Sequence, residues 1–287
     1  MASLDSNSPS ADRTGRENAR SPQEKTLLIT GASSGLGAAM AERMVELGWR
    51  VFGTSRKPRP DEAGIEWLAM DVCDDDSVRT ALETLFQRTD HLDGLVCNAG
   101  FGIYGSIEET SLERARAQFE TNYFGVLRVL TPVLAHMRAR NRGRILLVGS
   151  LSGRATIPFQ AHYSASKAAI ESLASGLANE IHPFDVQVSL IEPGDINTAF
   201  NDVMDWGETD PDSPYAERAA LCEKTIRESL PRSPGPEIVA DAVAHALTAK
   251  KPRFRYAVGR EARLVGLGKR FLSDRLSQKT IRDHFGI

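Results

Sequence analysis

KTLLITGASSGLGAAMAERMVELG, residues 25–48, reads as a strand, a glycine-rich turn and a helix in immediate succession. The apolar KTLLIT of Lys25–Thr30 is the strand, TGASSGLG of Thr30–Gly37 the turn, and the residues that follow carry helical spacing. That order sets backbone N–H groups at a helix N-terminus, where an anionic pyrophosphate is stabilised. Gly31 permits the tight turn, Gly35 a close approach of backbone to phosphate, and Gly37 close packing of helix on strand. Ser33, Ser34 and Leu36 complete the candidate dinucleotide-binding loop. Glycine-rich turns also arise for conformational reasons alone, so the flanking strand and helix carry the reading.

RVFGTS, Arg50–Ser55, is a second strand. About twenty residues beyond a dinucleotide loop an acidic residue would hold the ribose 2′-hydroxyl of NAD; this chain has Arg56 there. A guanidinium, with Lys57 and Ser33 nearby, suits a 2′-phosphate, so NADP(H) is expected in preference to NAD(H). Solvated loop charge is the plainer account of the same residues. Ile65–Met70 is a third strand running into Asp71 and Val72, an expected adenine edge, with Asp71 equally suited to capping the strand end. Asp75–Arg88 is helical, with Val78, Leu82 and Leu85 on one face. Gly94–Cys97 is a strand closed by Asn98, Ala99 and Gly100, small residues set against the cofactor. Ser111 caps a long helical region expected to carry Phe119, Phe124, Val126, Leu130 and Leu134 inward. Asn122 and Gly125 interrupt its good helix formers; an Asn in mid-helix usually faces solvent, but beside an aromatic pair it can mark a local kink that frees a backbone carbonyl.

Chemistry concentrates in RILLVGSLSGRATIPFQAHYSASKAAIES, Arg144–Ser172, an apolar strand, a polar loop and the start of a helix. Tyr163 and Lys167 stand four apart, one turn on one helix face. A phenol is a poor proton shuttle near neutral pH unless a cation favours its ionised form, and Lys167 is placed to be that cation. Ser150, at the strand end, can hydrogen-bond the oxygen that Tyr163 protonates, which describes a site for redox at an alcohol carbon. A Tyr and a Lys at this spacing are by themselves an ordinary amphipathic edge; the upstream nucleotide loop gives them their meaning.

Val186–Ile191 is a strand closed by Glu192, Pro193 and Gly194, with Ile196 and Thr198 just beyond. Phe200–Pro236 changes character, with Trp206, Tyr215 and many Asp, Glu and Pro residues. It reads as a substrate loop, a mobile lid that orders around substrate. Glu237–Ala249 is a helix and Arg255–Val258 a last strand. Phe101, Tyr104, Phe159, Trp206 and Tyr215 are candidates for an apolar pocket wall, although loop aromatics commonly serve packing.

With 287 residues and 41% hydrophobic content the chain suits one large α/β domain. A net charge of −3 spread along the chain argues against a nucleic-acid partner. Cys73, Cys97 and Cys222 lack metal-ligand spacing and read as thiols of a reducing compartment, with no metal expected. The sequence offers no apolar run long enough to span a bilayer and no signal segment, which predicts a cytoplasmic protein. Residues 1–24 are polar and read as a disordered tail. Residues 259–287 read as a basic helical extension with Leu264, Val265, Leu267, Phe271 and Leu272 interleaved. A lid helix is the plainer role for it and peripheral contact with lipid the bolder one.

The chain resembles the classical short-chain dehydrogenases/reductases over about Lys25–Val258. The resemblance rests on TGASSGLG, NAG at Asn98–Gly100, NYFG at Asn122–Gly125, Ser150, YSASK at Tyr163–Lys167 and PGDINT at Pro193–Thr198, specific in order and spacing. It implies a catalytic tetrad of Asn122, Ser150, Tyr163 and Lys167. Tyr163 would give or take the proton and Ser150 orient the substrate oxygen. Lys167 would bind the nicotinamide ribose and depress the Tyr163 pKa, and Asn122 would hold a proton-relaying water. Pro193, Gly194, Ile196 and Thr198 would border the nicotinamide, and Arg56 would select NADP. The tail from Tyr256 is similar to that of the hydroxysteroid and retinol dehydrogenase branch. Homodimers or homotetramers are expected by the same analogy.

The expected architecture is a single doubly wound Rossmann-type α/β domain, residues 25–258, with a mostly parallel seven-stranded sheet and helices on both faces. The expected activity is hydride transfer between NADP(H) and a carbonyl or secondary alcohol of an apolar small molecule. A catalytically silent NADP(H)-binding scaffold or sensor is the alternative, disfavoured because such a protein has little need of all four tetrad residues.

Overall fold

The computed structural model describes residues 24–198, 204–207, 210–260, 262, 265 and 272–287. The expected N-terminal tail, apart from Glu24, and parts of the expected lid and basic extension fall outside these. Seven strands, β1 (Thr26–Ile29), β2 (Arg50–Ser55), β3 (Ile65–Ala69), β4 (Gly94–Cys97), β5 (Gly143–Val148), β6 (Val186–Pro193) and β7 (Arg255–Val258), form one sheet. Its order is β3-β2-β1-β4-β5-β6-β7, and every pairing is parallel.

Alternation along the strands explains how both faces are covered. Leu28, Phe52, Leu95, Ile145 and Leu147 point to one side and join the buried stripes of α2 (Asp75–Arg88), α4 (Gly125–Ala139) and α5 (Ala161–Glu180). Leu27, Ile29, Val51, Val96, Leu146 and Val148 point to the other and meet α1 (Gly35–Glu46) and α7 (Glu237–Thr248). A one-residue change of register would send each set to the wrong helix layer, so the period-2 pattern fixes the pairing. Each fully buried Leu, Ile or Val contributes about 1.5–3 kcal/mol.

β1 pairs with β2 on one side and β4 on the other. The chain therefore winds outward to β3 and then returns across β1. Loops leaving the carboxyl ends of β1 and β4 diverge, opening the crevice where ligands bind in such sheets.

Several local readings change. β3 stops at Ala69, one residue early, and β6 runs on to Pro193. The long helix capped by Ser111 is in fact α3 (Leu112–Phe119), a π-helical turn over Glu120–Phe124, and α4. The π turn shifts the helical phase, so Phe124 is 47% exposed while Gln118 and Asn122 are buried. Within the expected lid, Ala216–Ser229 is a regular helix, α6, followed by a 3₁₀ turn over Leu230–Arg232. Asp274–Phe285 is the last helix, α8, capped by Ser273 and closed by Gly286 in the left-handed region.

Candidate active site

The glycine loop obeys its sequence. Gly31 and Gly35 take φ of +66° and +54°, values that side-chain-bearing residues rarely adopt. A Cβ on Gly37 would stand 2.1 Å from the Gly31 carbonyl oxygen, so only glycine lets α1 settle this close to the turn. Thr54 on β2 holds the loop from behind, its Oγ1 accepting from Gly31 N–H at 3.1 Å and its carbonyl from Ala32 N–H at 3.0 Å. Asn98 Nδ2 donates to the carbonyls of Thr30 and Gly31 at 3.0 and 3.1 Å. Thr30 Oγ1 in turn accepts from Asn98 and Ala99 N–H.

A cavity of about 530 Å³ runs from this loop to the end of β5. α1 opens on it with no side-chain cap and no acidic residue in its first turn. Its N-terminal N–H groups and dipole therefore meet no competing anion, and the loop fits a pyrophosphate. Ser33, Ser34, Leu36, Val72, Ala99, Gly100, Pro193, Gly194, Ile196 and Thr198 line the same cavity. Gly37 and Asn122 are the two expected site residues that do not, both being buried behind it. Arg56 is exposed at the cavity rim and has no ion-pair partner among the described residues. Asp71 lines the cavity and also serves the bland role, its Oδ1 accepting from Cys73 N–H at 2.9 Å.

At the far end of the cavity stand Ser150, Tyr163 and Lys167. Ser150 caps a short 3₁₀ turn, Leu151–Gly153. A Cβ on Gly153 would lie 2.9 Å from the Lys167 backbone carbon, so the absence of a side chain seats this turn directly on α5. Ser152 Oγ donates to Ser150 Oγ at 2.9 Å. Lys167 is 6% exposed, and its Nζ donates to the Val148 carbonyl at 2.9 Å. Burial among protein atoms raises the Tyr163 pKa above the ordinary phenol value, with the two serines pulling it back. Burial also lowers Lys167 to about 8.

Asn122, 1% exposed, uses its whole amide as a brace. Oδ1 accepts from Phe101 N–H at 3.0 Å, and Nδ2 donates to Phe101 O and Ser166 Oγ, each at 3.0 Å. Ser166 Oγ donates onward to the Tyr163 carbonyl at 2.7 Å. The kink thus ties the loop after β4 to the helix that carries Tyr163 and Lys167.

The cavity wall differs from expectation. Of the five aromatic candidates only Phe101 lines it. Tyr104 is 1% exposed, donates to Ala219 O at 2.6 Å and packs on Phe159 and Trp206 with ring centres 5.8 and 5.2 Å apart. Tyr215 hydrogen-bonds Glu108 at 2.5 Å. The wall is instead Ile157, Gln160, Met204, Ile226, Leu230 and Phe285, joined by His284. Phe285 comes from the last helix, and no local signal places it there. Asp205, beside Met204, is held by a parallel bridge to Ile103 and by Arg114 Nε at 2.8 Å.

These features match known proteins along most of the chain. The short chain dehydrogenase family pattern matches residues 25–208. The chain belongs to this family. A 3-ketodihydrosphingosine reductase of Bacteroides thetaiotaomicron is 37% identical over 267 residues, covering 92% of this chain and 99% of that protein. Human 17-beta-hydroxysteroid dehydrogenase type 1 is 33% identical over 254 residues, 80% of this chain and 76% of that protein. The crystal structure of a short-chain dehydrogenase from Streptomyces avermitilis superposes with a TM-score of 0.78 at 31% identity, covering 92% and 97% of the two chains. Proteins of this fold have been solved with NADP and with NAD.

As a short-chain dehydrogenase the chain is an oxidoreductase with a nicotinamide cofactor site. Burial is the largest influence on the Tyr163 pKa and raises it, while Ser150 and Ser152 lower it. The Lys167 ammonium anchors on β5, with the Tyr163 ring centre 5.8 Å away.

Proposed function

We propose that this protein is an NADP(H)-dependent carbonyl reductase for an apolar substrate, with Tyr163 as proton donor. The observation that carries the reading is Ser150, Tyr163 and Lys167 gathered at one end of a cavity whose other end is the glycine loop. When bound, the nicotinamide cofactor supplies hydride to the carbonyl carbon in reduction and takes it in oxidation. Gly31, Gly35 and the first turn of α1 would hold its pyrophosphate, and Pro193, Gly194, Ile196 and Thr198 would border its nicotinamide end. Arg56 supports the NADP preference as an exposed guanidinium at the cavity with no ion-pair partner among the described residues. Tyr163 delivers a proton to the substrate oxygen as negative charge develops there, and Ser150 orients that oxygen. Lys167 keeps a positive or proton-accepting group beneath the ribose end. Asn122 fixes α5 against the cofactor loop, and the water relay expected of it is part of this reading.

An apolar substrate is supported by Ile157, Met204, Ile226, Leu230 and Phe285 on the cavity wall. A long-chain ketone of the kind in the name of the Bacteroides relative is the first substrate to test, with a steroid ketone second. We expect the active form to be a homodimer or homotetramer, readable by light scattering. NADPH oxidation should be followed with 3-ketodihydrosphingosine, estrone and short aliphatic ketones, in wild type and Tyr163→Phe. Turnover of at least one apolar ketone that depends on Tyr163 is expected. Tight NADPH binding with no turnover across the panel would favour the scaffold or sensor reading.

A further inference from the structure

Gln160 is the N-cap residue of α5, three positions before Tyr163, and it is 4% exposed. N-cap side chains commonly accept a hydrogen bond from the first turn of their helix; that of Gln160 makes no such bond. It lines the cavity together with Tyr163. Nε2 donates to Met204 Sδ at 3.7 Å, and the amide has no other partner among the described residues. A thioether is a weak acceptor, and Oε1 is left as an open one.

The backbone fixes where this amide stands. Gln160 N–H donates to Ile157 O at 3.1 Å, and its carbonyl accepts from Ser164 N–H at 2.9 Å. Phe159 before it takes φ of +61°, rare for an aromatic residue. The Phe159 carbonyl accepts from Gly105 N–H at 2.8 Å and its ring packs on Tyr104, so contacts on both sides maintain the conformation. Thr225 and Ser229, the hydroxyls that α6 brings to the cavity, donate their protons to the carbonyls of Leu221 and Ile226 at 3.0 and 2.8 Å. Gln160 is thus the buried polar side chain left over on a wall of Ile157, Met204, Ile226, Leu230 and Phe285.

We propose that Gln160 is a specificity-determining residue that recognises a hydroxyl on the carbon next to the substrate ketone; this rests on the carbonyl-reductase reading above. Residues three apart at the start of a helix are neighbours, so the amide stands beside the place where Tyr163 meets the ketone oxygen. A hydroxyl there donates to Oε1. With the amide turned about, the same hydroxyl accepts from Nε2, so one group serves either orientation. A substrate entering the cavity displaces water from this wall. The hydroxyl restores the lost hydrogen bond, whereas a plain alkyl ketone leaves a buried amide unpaired. A site of this kind rejects the analogue that lacks the hydroxyl. The substrate class is accordingly an α-hydroxy ketone on an apolar chain.

The test compares NADPH-driven reduction of decyl hydroxymethyl ketone and decyl methyl ketone by wild type, Gln160→Met and Gln160→Leu. Both variants carry an apolar side chain of similar size and keep the backbone bonds of Gln160. Wild type should favour the hydroxymethyl ketone in kcat/KM. In each variant that preference should shrink by about tenfold, the usual contribution of one hydrogen bond, and through KM more than kcat. Inhibition by the matching diol and alcohol gives the same comparison free of the ketones' intrinsic reactivity, and wild type alone suffices for it should the variants not fold. A preference equal in wild type and variants, or a diol bound no tighter than the alcohol by wild type, would overturn the proposal and leave Gln160 a packing residue. No turnover of these or of the ketones named above, with NADPH bound, would instead overturn the carbonyl-reductase reading on which it rests.

Discussion

Lys167 Nζ donates to the carbonyl oxygen of Val148 at 2.9 Å, tying the catalytic helix to the last residue of β5. The bond crosses from α5 to the sheet beside the turn that carries Ser150. One side chain thus sets the distance between the strand-end serines and Tyr163. The same burial that makes this anchor rigid works against its charge.

A pH dependence of stability follows. Folded Lys167 gives up its proton at about pH 8, whereas the unfolded chain holds it to about 10.5. Between these values the unfolded chain binds more protons, so the free energy of unfolding rises with pH. Below about 8 the full penalty of burying an ammonium applies. Wild type should therefore gain stability relative to Lys167→Met on going from pH 8 to pH 10. Urea midpoints of the two proteins at both pH values check this, and a constant difference would mean an unperturbed lysine.

Tyr163→Phe keeps the ring on α5 and removes the transferable proton. Turnover should fall by roughly 10² to 10⁴, the usual worth of general acid–base catalysis. Dinucleotide affinity, read by quenching of intrinsic fluorescence, should stay within a few-fold of wild type. A parallel loss of affinity would point to a structural role for the hydroxyl.

Gly37→Ala tests the loop where the contact is tightest. The added Cβ would meet the Gly31 carbonyl oxygen at 2.1 Å and Asn98 Nδ2 at 2.7 Å, and the first of these is backbone. Overpacking of this sort commonly destabilises by about 1–3 kcal/mol. Because Gly31 and Asn98 shape the phosphate cradle, the substitution should lower dinucleotide affinity along with thermal stability. Stability unchanged and affinity unchanged would show that α1 can shift away from the turn.

Much of this site is legible in sequence because its constraints are local. Gly31 and Gly35 must be glycine for backbone reasons, and Tyr163 and Lys167 share a face by helical spacing alone. Asn122 announces a kink through poor helix propensity among good helix formers, but its brace to Phe101 and Ser166 depends on tertiary contacts that no spacing encodes. The inserted residue of the π turn also shifts phase, which is why Phe124 is exposed against its pattern. Thr54 and Ser152 are small polar residues with no periodic signal, yet one holds Gly31 and the other hydrogen-bonds Ser150. Phe285 reaches the cavity from the far end of the chain, a long-range relationship that residue order does not reveal.

The proposed NADP(H) preference predicts a cofactor switch at Arg56, which follows β2 directly. Two residues earlier, Thr54 Oγ1 accepts from Gly31 N–H at 3.1 Å, so the end of β2 and the pyrophosphate loop move as one body. The residue after this strand accordingly meets the 2′ position of an adenosine ribose held by that loop. Among the described residues no carboxylate neutralises the Arg56 guanidinium. It can pair bidentately with a phosphate, and charge-assisted hydrogen bonds are worth roughly 1.5–3 kcal/mol, or about ten- to a hundredfold in affinity. A 2′-hydroxyl offers it nothing comparable. Arg56→Asp reverses the charge and places a ribose acceptor where a phosphate clamp stood, so NADP(H) should weaken by at least tenfold while NAD(H) holds or improves. The measurement is kcat/KM for both cofactors in wild type and the variant, supported by Kd from fluorescence quenching. A wild-type preference for NADH, or a preference that Arg56→Asp leaves unchanged, would mean that 2′ recognition lies elsewhere on the rim.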